Sequence, residues 1–432
     1  MAEARVRFGF GFGLLAGLVL LSGGFAGRSV AQKEAAKADE ALRAELLKLN
    51  TVTGEDAQTA RLRQLVKDKV KGKASVAEAA AMMRGKKGKD APFNLNASLI
   101  LGRAALLLRE YDAAELLYDH AVEAATKLNS GGKMREAYRG LVGSLMGAKK
   151  YAAAVDVCEK VVEMKDPPAE LENDQFTFLE LLIKGKTLNG QADEALKAAE
   201  GLTQLPNDGW LFLELKAWVL NETGKMDAAI KTYNELIDKI DAQPKLKADQ
   251  KEKAKDEVRH ALSNLYIEAG NVEGATKQLE MLMKRHPDNA TYKNDLGYVW
   301  ADQNVKLDEA EKLIREALEI DRKEQEKLKE DGKLDEVQPN AAYVDSLGWV
   351  LFRKKQYDEA VKYLKQAAED DDGQHLEIWD HLADCYLAMG KTKDAVATWE
   401  KALKLEDVSK RDAERRRKIT AKLKKARSEA DK

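Results

Sequence analysis

The sequence predicts an all-α chain made of about eight repeated helix pairs. Charged residues make up 34% of its 432 residues and proline occurs only 7 times, a composition that favours long, solvated helices over strands. No long stretch alternates between apolar and polar residues with a period of two, which is the pattern of a half-buried strand. A motif of two amphipathic helices also recurs along the chain. In such an array each repeat contacts only its neighbours, so the core grows lengthwise.

The clearest pair of repeats lies between Ala341 and Asp407. The two copies read AAYVDSLGWVLFRKKQYDEAVKYLKQAAEDDD and HLEIWDHLADCYLAMGKTKDAVATWEKALKLED, and apolar residues such as Leu347 recur 35 residues later, here as Leu382. A unit of this length that holds two amphipathic helices resembles the tetratricopeptide repeat (TPR) family. The resemblance implies a right-handed α-α superhelical solenoid whose first helices line a concave groove, with helical caps at its ends.

The first residues have the pattern of a secretory signal peptide. Arg5 and Arg7 form a short positive segment, residues 8–25 are apolar and glycine-rich, and small residues precede Gln32. We predict a signal peptide over residues 1–31, cleaved after Ala31, and therefore an exported protein, periplasmic or secreted, with no transmembrane segment after cleavage. An uncleaved amino-terminal anchor is one alternative, because the apolar run is close to the lower length limit for a membrane span, and a cytoplasmic protein is the other.

Residues 32–92 carry three amphipathic helical patterns without the repeat motif. The patterns cover residues 35–49, 57–70 and 77–83. Gly72 and the glycine- and lysine-rich residues 85–89 are predicted to break them apart. The segment holds 14 basic and 9 acidic residues. It is predicted to be a helical lead-in that caps the first repeat, since the open face of a terminal repeat needs a polar cover.

The repeat register follows from a small residue in each second helix, at the point where the two helices of a pair approach most closely. These register alanines are Ala114, Ala154, Ala195, Ala229, Ala275, Ala310, Ala360 and Ala395. They predict eight repeats in an array over residues 93–407. The repeats cover residues 95–128, 135–168, 176–209, 210–243, 256–289, 290–324, 341–374 and 376–407.

Glycines and charged inserts mark the connections between helices. Four glycines fall between the two helices of a repeat, where a left-handed residue ends the first helix at little cost. They are Gly190, Gly224, Gly270 and Gly390. Residues 241–257 and 321–339 exceed the repeat period and are rich in charged helix formers, which predicts longer helices or a charged spur between repeats.

Charge is distributed unevenly along the chain. Residues 408–432 contain 11 basic and 4 acidic residues with a thin apolar stripe at Ile419, Leu423 and Ala426, which predicts a basic carboxy-terminal capping helix. Because the whole chain has a net charge of −2 and both ends are basic, the array over residues 93–407 has a net charge of −16. Phosphate binding requires cations along the contact surface, so no nucleic acid partner is expected for the array.

No catalytic motif stands out, so we predict that the chain is not an enzyme and uses no cofactor. His381 and Cys385 lie one helical turn apart and come nearest to a metal site, but no second pair of ligands accompanies them. Cys158 and Cys385 are the only cysteines, and their distance along the array excludes an internal disulfide. Both fall on apolar helix positions, which predicts two buried thiols.

The TPR resemblance implies that the second, fifth, ninth and twelfth residues of each first helix face the groove. In the last four repeats this register selects aromatic, amide and carboxylate side chains. The predicted groove residues are Asn264, Asn294, Tyr298, Asp345, Trp349, Phe352, Glu377, Asp380 and Asp384. Aromatic anchors supply affinity, asparagines hydrogen-bond a peptide backbone and carboxylates select Lys or Arg, so the expected ligand is an extended peptide, basic with an apolar anchor. In the alternative, Trp349 and Tyr298 pack between first helices and the carboxylates are only solvated.

Together these patterns predict a non-catalytic protein-protein interaction scaffold of the cell envelope that binds one or more envelope proteins in its groove. The second hypothesis is a structural or assembly factor that acts through self-association or through its basic tail. A metal-binding protein built on His381 and Cys385 is the remote third hypothesis. The sequence identifies no particular partner.

Overall fold

The computed structural model describes residues 40–430 with the exception of Lys87, residues 206–208, Lys333, Asp335 and residues 406–409. The predicted signal peptide and its cleavage site therefore lie outside the described residues. Within the described residues the chain is helical and contains no strand, which confirms the all-α prediction. The chain divides into two compact units, one ending at Lys239 and the other beginning at Ile240.

The amino-terminal unit starts with helix α1 over residues 40–47 and continues through helices joined mostly by short turns. The following helices are α2 Glu55–Lys67, α3 Lys69–Met83, α4 Leu95–Leu107, α5 Tyr111–Lys127, α6 Gly131–Gly147, α7 Tyr151–Val162, α8 Ala169–Glu172, α9 Gln175–Leu188, α10 Ala192–Thr203, α11 Leu213–Glu222 and α12 Met226–Asp241. An apolar core runs from the lead-in to α9 and includes the fully buried side chains of Val76, Leu117 and Phe178. The lead-in helices α2 and α3 pack on α4, so they cover the first helix pair.

The prediction of a helix break at Gly72 is wrong. Gly72 lies inside α3, and the break falls earlier, at Asp68, whose carboxylate accepts a hydrogen bond from the Lys71 amide and caps the new helix. The glycine is needed for packing, because a Cβ at this position would lie 2.3 Å from the carbonyl oxygen of Leu65. The absence of a side chain therefore allows a close approach between α3 and the end of α2.

The carboxy-terminal unit contains four helix pairs and a final single helix. Its helices are α13 Ala248–Glu268, α14 Val272–Arg285, α15 Ala290–Asp302, α16 Leu307–Glu330, α17 Ala341–Arg353, α18 Tyr357–Glu369, α19 Leu376–Ala388, α20 Thr392–Ala402 and α21 Lys410–Ala430. Much of each charged insert is helical, over residues 248–257 at the start of α13 and 321–330 at the end of α16, which agrees with the prediction of longer helices. The first helices α15, α17 and α19 pack side by side.

The two helices of each pair are connected through one residue in the left-handed region. The four predicted glycines occupy this position with φ between 69° and 83°, which confirms the prediction for these turns. In the other four pairs the same position is taken by larger residues with φ between 57° and 63°. These residues are Arg109, Lys149, Asn304 and Lys355. A side chain with a Cβ adopts this conformation at a cost that glycine avoids.

Small residues bring the helices of each pair into close contact. All eight register alanines are buried, with at most 1% of their surface exposed. Glycine plays the matching role in three first helices. A Cβ on Gly102 would lie 2.9 Å from the Tyr118 side chain, one on Gly297 would lie 2.9 Å from the Ala310 carbonyl oxygen, and one on Gly348 would lie 2.6 Å from the Leu364 side chain. A larger residue at any of these positions would push the paired helices apart.

We expect Lys355→Gly to raise the free energy of unfolding by about 1 kcal/mol. Lys355 has φ 63°, and the left-handed conformation costs a non-glycine residue about 1–2 kcal/mol. Glycine avoids this cost but loses more backbone entropy on folding, so the net gain is smaller. Urea unfolding followed by circular dichroism measures the change. Lys362→Gly, on the exposed middle of α18, is the matched control and should lower the free energy of unfolding by about 1 kcal/mol. Equal losses in both variants would contradict the role of the turn.

Candidate functional site

Three carboxylates follow one side of α19 in the carboxy-terminal unit. Glu377, Asp380 and Asp384 are separated by three and four residues, so they share a face of the helix. We call these three residues the acidic face. All three belong to the predicted groove residues, and Asp380 is only 4% exposed. A buried carboxylate requires cations or hydrogen-bond donors around it.

Basic residues of α21 supply these cations. The Lys422 ammonium lies 2.9 Å from Asp380 Oδ1 and 2.7 Å from Asp384 Oδ2. The Arg415 guanidinium pairs with Glu377, and its Nη1 lies 3.6 Å from Asp380 Oδ2. Arg415 and Lys422 are seven residues apart, two helical turns, and therefore project from the same side of α21. The acidic face is thus paired with cations of the chain itself.

Apolar contacts hold α21 in this position. The predicted stripe of Ile419, Leu423 and Ala426 is buried in a small core together with Trp399 of α20. The indole Nε1 of Trp399 donates a hydrogen bond of 2.9 Å to Asp380 Oδ1, so the apolar core and the acidic face are directly connected. The Arg416 side chain donates to the carbonyl oxygen of Leu403 at 2.6 Å, at the end of α20. The helix is therefore attached by apolar, ionic and backbone contacts.

Burial and neighbouring charges shift the pKa values of groups at the acidic face. Burial alone lowers the pKa of Lys422, but the charges of Asp380 and Asp384 outweigh it and raise that pKa above its ordinary value. The pKa of Asp384 is also raised, first by burial and then by repulsion from Asp380, and Lys422 offsets this only in part. Neighbouring carboxylates thus act on both groups: Asp380 and Asp384 raise the pKa of Lys422, and Asp380 adds to the effect of burial on Asp384.

A second cluster of predicted groove residues lies between α17 and α19. His381 Nδ1 is 3.0 Å from Asp345 Oδ2, and both side chains are buried. The imidazole stacks on the Trp349 ring with centroids 4.0 Å apart, and Trp349 in turn stacks on Phe352 at 4.8 Å. Burial by itself lowers the pKa of His381, but the charge of Asp345 and the hydrogen bond to it raise the pKa above its usual value. The cluster joins two adjacent first helices.

The remaining predicted groove residues differ in accessibility. The Tyr298 hydroxyl donates a 2.6 Å hydrogen bond to Glu377, which connects α15 to the acidic face. Asn294 is 6% exposed, as is Trp349, whereas Asn264 is exposed. Trp349 and Tyr298 therefore pack between first helices, as the alternative interpretation of the sequence held. The role of the nine residues in binding a partner stays a prediction.

The cysteines and His381 have structural surroundings. Within the described residues, no group of three or more His, Cys, Asp or Glu side chains is arranged to hold a metal ion. His381 faces Asp345, and the thiol of Cys385 lies 3.7 Å from the Tyr357 carbonyl oxygen. Both cysteines are free and buried, as predicted. Burial raises the pKa of Cys158 to about 12 and that of Cys385 to about 11, so both are protonated thiols at neutral pH.

Sequence analysis missed the pairing of α21 with the acidic face. A signal for it was present in the spacing: Glu377 and Asp384 are seven residues apart on α19, as Arg415 and Lys422 are on α21. Two helices with matching seven-residue intervals of opposite charge can align side by side. The predicted stripe of Ile419, Leu423 and Ala426 lies on the same side of α21 as the two cations and indicates which side is buried.

The helix pairs with a left-handed connection and small residues at the point of closest approach define an α-helical repeat protein. Tetratricopeptide repeat models match residues 189–245, 260–324 and 351–411. Tetratricopeptide repeats are therefore recognised over these three segments of the chain. Proteins with these repeats generally act as protein-protein interaction scaffolds and are generally non-catalytic. In the described part of the chain, no helix combines the length and apolar character that crossing a membrane requires.

Individual relatives are distant. A TPR repeat-containing protein of Pseudomonas aeruginosa is 27% identical over 209 residues, which cover 43% of this chain and 33% of that protein. The chain thus spans about a third of the length of this curated relative. Among solved structures, a tetratricopeptide repeat protein from Parabacteroides merdae has a TM-score of 0.42 at 14% identity. The match covers 70% of this chain and 98% of that chain. A TPR protein of Thermus thermophilus has a TM-score of 0.36 at 19% identity, and the match covers 49% of this chain and 99% of that chain.

We expect the contribution of His381 to stability to fall as pH rises. A folded-state pKa above the ordinary 6.5 gives stability that is fully present below the unfolded-state pKa and is lost as pH rises through the higher folded-state value. The difference in unfolding free energy between the wild type and His381→Gln should therefore shrink above about pH 6.5. Urea unfolding at several pH values measures it.

His120 provides the control of opposite sign. Burial lowers its pKa, and its Nδ1 lies 3.0 Å from Ser98 Oγ. The stability that His120 contributes should therefore be present above its unfolded-state pKa and decrease as pH falls through the folded-state value. If His120→Gln and His381→Gln changed the pH dependence in the same direction, the ion pair between His381 and Asp345 would not be the cause.

Proposed function

We propose that the chain is a non-catalytic scaffold of the cell envelope that binds a basic segment of a partner protein on the surface formed by α15, α17 and α19. The general role of TPR proteins supports a protein partner. The observation that supports a basic ligand is the pairing of Arg415 and Lys422 with the acidic face, because this surface already accepts an arginine and a lysine.

Aromatic side chains next to the acidic face add a second feature to the proposed surface. Phe352 is partly exposed, and it stacks on Trp349 and lies 5.7 Å from Tyr357 between ring centroids. Aromatic groups held rigidly by neighbours lose little conformational entropy on binding and therefore serve well as contact points. In this proposal an apolar residue of the partner contacts Phe352 while its cations approach the carboxylates.

A second candidate, an assembly factor acting through its basic tail, is supported by the outer side of α21. Arg417, Lys418, Lys424 and Lys425 are exposed there while the opposite side of the helix is buried. Like-charged residues on one exposed side attract an anionic surface, and the attraction weakens with salt. The two candidates therefore use different surfaces of the same unit.

Site-specific photo-cross-linking in the producing cell distinguishes these surfaces. With a benzophenone amino acid at Phe352, we expect a discrete cross-linked product with a partner protein, because this position borders the proposed binding surface. The same group at Lys362, on the exposed side of α18, is the matched control and should give none. A product at Lys424 but not at Phe352 would favour assembly through the tail. Identical products at Phe352 and Lys362 would contradict a defined binding surface.

We further propose that the protein is exported by the signal peptide over residues 1–31. The charged start, the apolar residues 8–25 and the small residues before Gln32 support this proposal. We expect protein isolated from the periplasm or the medium of the producing cell to begin at Gln32, as measured by amino-terminal sequencing. Ala31→Trp should block cleavage, because the peptidase requires a small residue at this position. Protein that starts at Met1 in the cytoplasmic fraction would contradict export, and uncleaved protein in the membrane fraction would indicate an anchor.

A further inference from the structure

We propose that the acidic face of α19 is a binding site for a basic amphipathic helix of a partner protein, and that α21 occupies this site in the free chain. The inference rests on the proposed function and refines it, because it replaces an extended peptide with a helix of defined spacing. It also gives α21 the role of an intramolecular competitor. Three features of the described residues lead to it.

The first feature is the spacing of the residues with which α21 contacts the site. Arg415, Ile419, Lys422, Leu423 and Ala426 follow one another at i, i+4, i+7, i+8 and i+11, which is one continuous side of a helix. The cations pair with the acidic face, and the three apolar residues on the same side are buried. Any helix with this pattern presents the same groups. The site therefore selects a helix by spacing and charge together.

The second feature is the concentration of carboxylates on one face of α19. Glu377, Asp380 and Asp384 pair with Arg415 and Lys422 of α21. A helix that brings a further cation to this side would add an ion pair to these carboxylates. A partner helix of this composition would hence have an advantage over the resident one.

The third feature is the small apolar contact area of α21. Its buried apolar side chains number three within its described residues, and one of them is the alanine at position 426. The array helix α17, by contrast, buries seven apolar side chains over its thirteen residues. Attachment of α21 thus depends more on ion pairs than attachment of α17 does. Ion pairs can be exchanged for those of another basic helix with little change in buried apolar surface.

A labelled synthetic peptide of residues 410–430, added to the full-length protein, tests the inference. A helix in the same chain has an effective concentration of about a millimolar, so it should strongly compete with added peptide. We expect the full-length double variant Arg415→Gln/Lys422→Gln, which weakens the resident helix and leaves the acidic face intact, to bind the peptide at least tenfold more tightly than the wild type. Fluorescence anisotropy measures the dissociation constant.

Two further variants separate the site from the competitor. Ile419→Lys weakens the apolar attachment of α21 and should raise peptide affinity in the same way as the double variant. Adding Asp380→Asn/Asp384→Asn to the double variant removes two carboxylates from the site and should abolish the gain. A scrambled peptide of identical composition should bind at least tenfold more weakly than the native sequence. If native and scrambled peptides bound equally, non-specific charge attraction would explain the binding, and the proposed spacing would be wrong.

The wild-type protein supplies a test that does not depend on any variant folding correctly. A peptide with Asp412→Lys carries an added cation one turn before Arg415, and it should bind several-fold more tightly than the native peptide. Bound peptide should accelerate hydrogen exchange of the protein's own residues 410–430, as mass spectrometry measures. If α21 stayed protected at saturating peptide and neither α21 variant gained affinity, the helix would be a permanent cap and the inference would be overturned.

The peptide experiment and the cellular experiment fail independently. Peptide binding depends only on the acidic face and α21, without any partner protein. A peptide that displaces α21, together with no cross-linked partner at Phe352, would contradict the proposed function and leave the helix-binding site in place. A cross-linked partner at Phe352, together with no displacement of α21 by any peptide, would contradict the competitor role alone.

Discussion

The close approach of two helices at a small residue is the constraint on which the rest of this chain depends. Each register alanine is buried against the first helix of its pair, and in three pairs the facing residue is a glycine with no room for a Cβ. Once the helices are held at this distance, the chain must reverse direction within a few residues. A left-handed residue accomplishes this in all eight pairs, even where Lys149 or Lys355 must adopt the strained conformation. The packing distance therefore has priority over the conformational preference of the turn.

The same repeat distance determines which side chains meet between neighbouring first helices. His260 contacts Asp295 at 2.8 Å, and His381 contacts Asp345 at 3.0 Å. The members of these pairs are 35 and 36 residues apart, close to one repeat period. In each case an imidazole joins the first helix of one repeat to that of the next. A residue in the groove thus has two possible partners, a ligand or the adjacent repeat, and burial of Asp345 and His381 assigns them to the adjacent repeat.

The sequence was sufficient to predict the helices, but it was insufficient to predict which partners the groove side chains contact. The alanine and glycine positions could be predicted because their cause is local. Only a small residue fits where two helices approach closely, and only glycine adopts a left-handed turn without strain. Gly72 was misassigned because a glycine that permits packing and a glycine that ends a helix look alike in one sequence. The contacts of Asp380 depend on Lys422, which is 42 residues away and beyond the last repeat. Repeat periodicity contains no information about such a contact.

A helix that covers the last repeat and a basic ligand that binds there must both supply apolar groups and cations to the same surface. The outer side of α19 and α20 combines apolar residues with carboxylates, and such a surface is unfavourable in water unless apolar groups and cations cover it. In the chain itself, α21 meets both requirements with Leu423 and Lys422. Any other helix with these groups at the same spacing meets them as well, because the requirements concern charge and apolar area and not chain connectivity. What holds the cap in place therefore also defines the chemistry by which a partner could replace it.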